Sequence, residues 1–137
     1  MYHKRILKSI LVCAVWPAFF CPVVQAEKII GISKTAINFT LPEWYTRQPT
    51  SLYDFAGQIV LLDFFVYWCP HCQASSPEIE TYIQDYYEAR GGNPAGIPVQ
   101  VLSISVEPSN PASTEAFIRR YGLDLALDDG SRTVYSN

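Results

Sequence analysis

The stretch Ile59-Val60-Leu61-Leu62-Asp63-Phe64-Phe65-Val66-Tyr67-Trp68-Cys69-Pro70-His71-Cys72 decides how this chain is read. Its first eight residues are nearly continuously apolar. A run that short, rich in β-branched and aromatic side chains, favours a strand over a buried helix. The lack of alternation predicts a central strand covered on both faces. One charge, Asp63, interrupts it. Past Trp68 the period changes, and a helical segment is predicted from Cys69 to Arg90. Ile79, Tyr82, Ile83, Tyr86 and Tyr87 recur at helical spacing, with Glu78, Glu80, Gln84, Asp85 and Glu88 on the other face. The aromatic stripe is expected in the core. Pro77 should kink this helix, and Gly91-Gly92-Asn93-Pro94 should end it.

Outward from that core, Val99 to Val106 predicts a second buried strand. Asn110 and Pro111 form an N-cap and first-turn pair for a helix carrying Phe117, Ile118 and Tyr121 and stopping at Gly122. Leu123 to Leu127 is a short apolar piece, and Asp128-Asp129-Gly130 a turn. Upstream, Gly31 to Asn38 reads as a modest edge strand. A loop from Phe39 carries Trp44, Tyr45 and Pro49. Ser51-Leu52 and Tyr53-Asp54-Phe55 read as a strand end and a helical turn closed by Gly57. Strand, helix, strand, helix in this order makes a βαβ unit and a parallel sheet, hence an α/β fold.

The N-terminus belongs to a different object. Lys4, Arg5 and Lys8 precede an uncharged stretch from Ser9 to Val23, and Val24-Gln25-Ala26 offers a cleavage site. Residues 1–26 therefore read as a secretory signal peptide, cut after Ala26, with 27–137 as the mature domain. A retained anchor is the alternative, although Pro17 and Pro22 interrupt the apolar run. Cleavage leaves seven basic against thirteen acidic side chains, a net charge of −6. That balance argues against a nucleic-acid partner. It also leaves two cysteines, both in Cys69-Pro70-His71-Cys72, in an oxidising compartment, either periplasmic or outside the cell. No stable membrane insertion is expected after cleavage.

The pair sits at a strand-to-helix junction. Free N–H groups and the helix dipole stabilise a thiolate at Cys69, and Cys72 lies one turn further in. Pro70 pre-sets the first turn, and a protonated His71 would add positive charge beside the Cys69 sulfur. Asp63, six residues upstream, can accept a proton from the resolving thiol. Other uses of the motif fit less well. Zinc needs about four ligands, and the mature chain offers two Cys and one His. Covalent haem attachment needs C-x-x-C-H, and Gln73 stands in the last position. A peroxidatic site would need a Thr three residues before the cysteine, where Val66 stands. A static disulfide across this short step would hold little together. No metal or organic cofactor is expected.

Asp63 to Cys72 resembles the thioredoxin active-site strand and turn. The lead-in Asn38-Phe39-Thr40-Leu41-Pro42 and Ser51 to Leu62, together with Pro77, Glu115 to Gly122 and Leu125 to Tyr135, is similar to the secreted TlpA/ResA-like branch. The resemblance implies a thioredoxin-like fold and protein thiol–disulfide exchange through Cys69 and Cys72, with protein thiols or disulfides and an unidentified redox partner as its counterparts. Three departures stand out. The Pro70-His71 dipeptide matches DsbA-type oxidants. Ser75 stands where ResA-like reductants carry a Glu, while Asp63 matches the buried Asp of thioredoxin. The family's cis-proline loop, β-hairpin and last helix would lie beyond Tyr135, so the chain is expected to be an incomplete thioredoxin-like domain with an apolar strand edge. The direction of electron flow stays open, since CxxC proteins range from roughly −270 to roughly −120 mV. A non-catalytic truncated fragment or binding module is the alternative reading.

Overall fold

The structure is a computed structural model that describes residues 35–136. The signal-peptide reading of residues 1–26 lies outside them. A short antiparallel pair comes first, β1 (Thr40–Pro42) with β2 (Pro49–Ser51). The strand expected over Gly31–Asn38 is not seen in its described part, and the first extended pairing begins at Thr40. Ser51 then caps a 3-10 turn, Leu52–Phe55. Its hydroxyl accepts from the Tyr53 N–H while Asp54 accepts from the Ser51 N–H at 2.8 Å.

Three parallel strands make the main sheet, in the order β3 (Ile59–Phe65), β4 (Val99–Ser105), β5 (Ala126–Asp128). Both crossovers are helical, so the predicted βαβ units are present. The expectation of β3 as the central strand needs correction. Among the described residues β4 holds the centre and β3 an edge, because β3 is paired only to β4, from Ile59↔Val99 to Phe65↔Ser105. Ile59 and Leu62 are consequently exposed. The small hairpin joins the far edge, where the Trp44 N–H donates to the Ala126 carbonyl at 2.8 Å and Glu43 bridges Leu127.

Between β3 and β4 the chain is helical from Pro70 to Glu88, in three parts. These are α1 (Pro70–Ile79), a π turn (Glu80–Asp85) and α2 (Tyr86–Glu88). Pro77 explains the break. It has no N–H for the i→i−4 ladder, and the ladder widens within one turn of it. At the end of this segment Gly92 lies at φ +127°, and a Cβ there would come within 2.5 Å of the Ile97 carbonyl oxygen. The second crossover, α3 (Pro111–Tyr121), starts on an Asn110 cap that accepts from the Ser113 N–H at 3.0 Å. It ends on Gly122 in the left-handed region.

The two sheet faces differ. Leu102, Ile104 and Leu127 point to one side and pack with Leu41, Val60 and Phe64. Alternation sends Asp63, Phe65, Ser103 and Ser105 to the other side, beneath the helices. There Phe65 stacks on Phe117, with ring centroids 4.8 Å apart, in a cluster with Trp44, Ile118 and Leu123. The expected aromatic stripe does not supply this core. Tyr82 and Tyr86 are exposed, and Ile79, Ile83 and Tyr87 are half-buried. The helical segment instead buries Ser76, Glu80 and Gln84. Glu80 and Gln84 were expected on its outer face. These polar ends find backbone partners: Glu80 accepts from the Asp124 N–H and Gln84 from the Val101 N–H, each at 2.8 Å.

Candidate active site

The C-terminal end of β3 delivers Cys69 to the start of α1. The Cys69 N–H donates to the Val66 carbonyl at 3.1 Å, which turns the chain out of the strand. Cys69 is itself the N-cap. Its Sγ accepts from the Cys72 N–H at 3.4 Å, and Pro70 occupies the first helical position, where its missing N–H costs nothing. Both thiols are free and partly exposed.

The two sulfurs are held differently. The Cys69 thiol is lowered, first by a hydrogen bond from the Cys72 side chain, then by the backbone N–H groups of Cys72 and His71. The Cys72 thiol is raised, chiefly by burial against the aromatic cluster and then by Cys69, with the Asp63 charge adding a smaller push. His71 acts on Cys69 through its backbone N–H, and its imidazole stands exposed on the first turn.

Asp63 is half-buried under α1. The Ser76 hydroxyl donates to its Oδ2 at 2.9 Å. Burial raises the Asp63 carboxyl, and this hydrogen bond partly offsets the effect. Its register partner on β4 is the neutral Ser103.

A groove of about 280 Å³ opens at the cysteines, walled by Phe64, Trp68, Val106, Arg132 and Tyr135. A larger hollow of about 510 Å³, which shares Phe64 with the groove, lies among Ile37, Phe39, Leu52, Leu62 and Val134. No cysteine lines it, so the thiol chemistry belongs to the smaller groove. Two carboxylates behind the groove's walls brace its rim. Glu107 accepts from the Trp68 indole N–H at 2.7 Å and from both the N–H and hydroxyl of Ser109. Together these bonds hold its carboxyl down to about 2. Asp129, fully buried, accepts from Thr133, Val134 and Tyr135 backbone N–H groups at 2.8–3.1 Å, and from the Thr133 hydroxyl. That knot fixes the segment bearing Arg132 and Tyr135, and Arg132 Nε donates to the Val106 carbonyl at 3.1 Å.

The structure has Cys69, Pro70, His71 and Cys72 on one turn, as the sequence suggests, with Asp63, six residues earlier on β3, held under the same helix by Ser76. Sequence reasoning does not find Ser76, Glu80, Glu107 or Asp129. The i, i+4, i+8 spacing of Ser76, Glu80 and Gln84 was the available signal for the first two. For the rim carboxylates the donors are partly local, Ser109 for Glu107 and residues 133–135 for Asp129, but the Trp68 contact of Glu107 spans 39 positions and leaves no local pattern.

Comparison with known proteins agrees with this geometry. The sequence is 23% identical over 125 residues to thiol-disulfide oxidoreductase ResA of Geobacillus thermodenitrificans, covering 90% of this chain and 66% of the relative. The chain thus spans about two thirds of that relative's length. Among solved structures, it is similar to a secreted Mycobacterium tuberculosis disulfide oxidoreductase homologous to E. coli DsbE. That match has a TM-score of 0.55 and 22% identity, over 72% of this chain and 65% of that one. A thiol-disulfide oxidoreductase from Bacteroides fragilis superposes with a TM-score of 0.54 and 21% identity, over 70% and 66%. These likenesses establish the thioredoxin-like α/β fold. The sequence profile of the AhpC/TSA family matches residues 32–135, through the strands, the helices and the cysteine pair, and the chain therefore belongs to the AhpC/TSA family.

Proposed function

We propose that this protein is an extracytoplasmic thiol–disulfide oxidoreductase that exchanges disulfides with protein substrates through Cys69 and Cys72. The observation that carries the reading is the opposite treatment of two sulfurs one turn apart. Cys69 is the helix N-cap with a stabilised thiolate, and Cys72 is half-buried with its proton retained. A nucleophile and a resolving thiol need that asymmetry. As a reductant, the Cys69 thiolate attacks a substrate disulfide, and one substrate sulfur leaves with the electron pair. Cys72 then gives its proton to Asp63, attacks Cys69 Sγ and releases the second substrate thiol. The Cys69–Cys72 disulfide that forms holds the two electrons' worth of oxidation. Run backwards, the same steps oxidise a substrate dithiol. The exchange calls on no metal or organic cofactor. A redox partner resets the pair.

The family match and the ResA and DsbE-related likenesses support this chemistry. The basic-then-apolar pattern ending at Ala26 supports export. No helix among the described residues is long and apolar enough to cross a membrane. Insulin reduction by the full chain tests the proposal. Cys69→Ser should abolish turnover, and Cys72→Ser should accumulate a substrate mixed disulfide at Cys69. Equal turnover in Cys69→Ser would sink it.

A further inference from the structure

The exchange as derived uses one buried acid, yet the polar layer under the helical segment contains two. Ser76 and Glu80 are one helical step apart and are 1% and 5% exposed. Ser76 bonds Asp63, and Glu80 begins the π turn that carries its carboxyl to the sheet side, where Oε1 accepts from the Asp124 N–H at 2.8 Å. Gln84 closes the row, accepting from the Val101 N–H at 2.8 Å. A line of polar side chains thus runs from beneath Cys72 to the start of β4. π turns are rare and recur at functional sites. This one sits where it places a carboxyl behind the acid that serves Cys72.

We propose that Glu80 is a positioning residue for the exchange: a second proton-holding carboxyl whose charge state sets how readily Asp63 takes the Cys72 proton. This rests on the function proposed above. Every charge acting on Glu80 is negative: Asp124 from the segment before β5, Asp85 from its own helical stretch, and Asp63 from β3. Burial is the larger influence, and together they push the Glu80 carboxyl up to about 7. Ser76 and Gln84 flank it without charge, and Ser103 lies beside Asp63 likewise. Two carboxyls in one partly buried layer, with only negative charges acting on Glu80, repel, so ionising one raises the proton affinity of the other. With Glu80 neutral, Asp63 ionises more easily and is the weaker base. With Glu80 ionised, Asp63 binds a proton more tightly. The Cys72 proton goes to Asp63 in either state, and Glu80 itself takes no part in bond making.

The test has two arms on the full-length chain. Carboxyl NMR titration follows Glu80 and Asp63 in the wild type, in Asp63→Asn and in Glu80→Gln, which retains the oxygen that accepts from Asp124. Each substitution should lower the midpoint of the surviving carboxyl. The second arm measures resolution of a Cys69 mixed disulfide by Cys72 between pH 5.5 and 8.5. The wild type should show an inflection near pH 7 that Glu80→Gln loses, while Cys69 alkylation against pH is the same in both. A Glu80 midpoint unmoved by Asp63→Asn overturns the coupling. An unchanged resolution profile in Glu80→Gln, with normal exchange, overturns the role of Glu80 alone. A wild-type chain that forms no mixed disulfide at any pH overturns the function of the cysteine pair, and the proposal with it.

Discussion

The two faces of the three-stranded sheet are built from alternate residues of the same strands, and they do different work. On one face Leu102, Ile104 and Leu127 are fully buried and meet Leu41, Val60 and Phe64. On the other, the aromatic cluster around Phe65 and Phe117 gives way to Asp63, Ser103, Ser76, Glu80 and Gln84. The dry face is where burial stabilises the fold. The polar face gives up some of that stabilisation to carry two carboxyls, Asp63 and Glu80, both raised chiefly by burial. A packed core tolerates such a layer only when its polar atoms are paired, and among the described residues none of the buried side-chain nitrogens and oxygens lacks a partner.

Damage to the two faces should therefore separate stability from chemistry. Ile104→Ala opens a cavity in the dry face and should cost about 3–4 kcal/mol of unfolding free energy by urea titration, while the folded fraction keeps its exchange rate. Loss of rate in the folded fraction would mean the faces are not independent. Asp63→Asn should slow mixed-disulfide resolution by about 100-fold, as expected for removing a general base. The first attack by Cys69 should be nearly unchanged in stopped-flow alkylation.

Glu80→Gln sharpens the contrast through pH. The folded Glu80 carboxyl binds its proton more tightly than the unfolded one. Below about pH 4.5 both states are protonated and the group contributes nothing. As pH rises from about 4.5 to about 7, ionisation increasingly opposes folding. Glu80→Gln should accordingly stabilise the protein by about 1–3 kcal/mol at pH 8, scaled down for residual solvation, and by nothing at pH 4. Equal effects at both pH values would show that packing rather than charge is responsible. The smallest effect is expected at the rim. Glu107 has a depressed carboxyl, so its stabilisation is present above about pH 4.5 and is lost as pH falls toward about 2. Glu107→Gln should flatten that acid limb of the unfolding curve and alter Trp68 fluorescence. A wild-type acid limb in the variant would remove Glu107 from the account.

Much of this was legible in the chain itself. The apolar run Ile59–Val66, the Pro at the first turn of α1 and of α3, the Asn110 cap and the Gly122 stop are local signals, and local signals act through backbone conformation. So does the placement of Cys69 at a helix start, because the cysteines follow directly on a strand. Tertiary structure decided the rest. Which strand lies central depends on pairing between residues some 40 positions apart, and β4 took the place expected of β3. Which helical face is buried was decided by the distant groups that Ser76, Glu80 and Gln84 meet, Asp63, Asp124 and Val101, and this left Tyr82 and Tyr86 in solvent. Asp129 takes its donors from the turn that follows it, and Glu107 takes two from Ser109, but the Trp68 indole reached Glu107 only when the strand ends came together. Hydrophobic period reports how much apolar surface a segment can bury. It carries no information on which distant donors will meet a carboxylate, and those donors determine where the protons in this site reside.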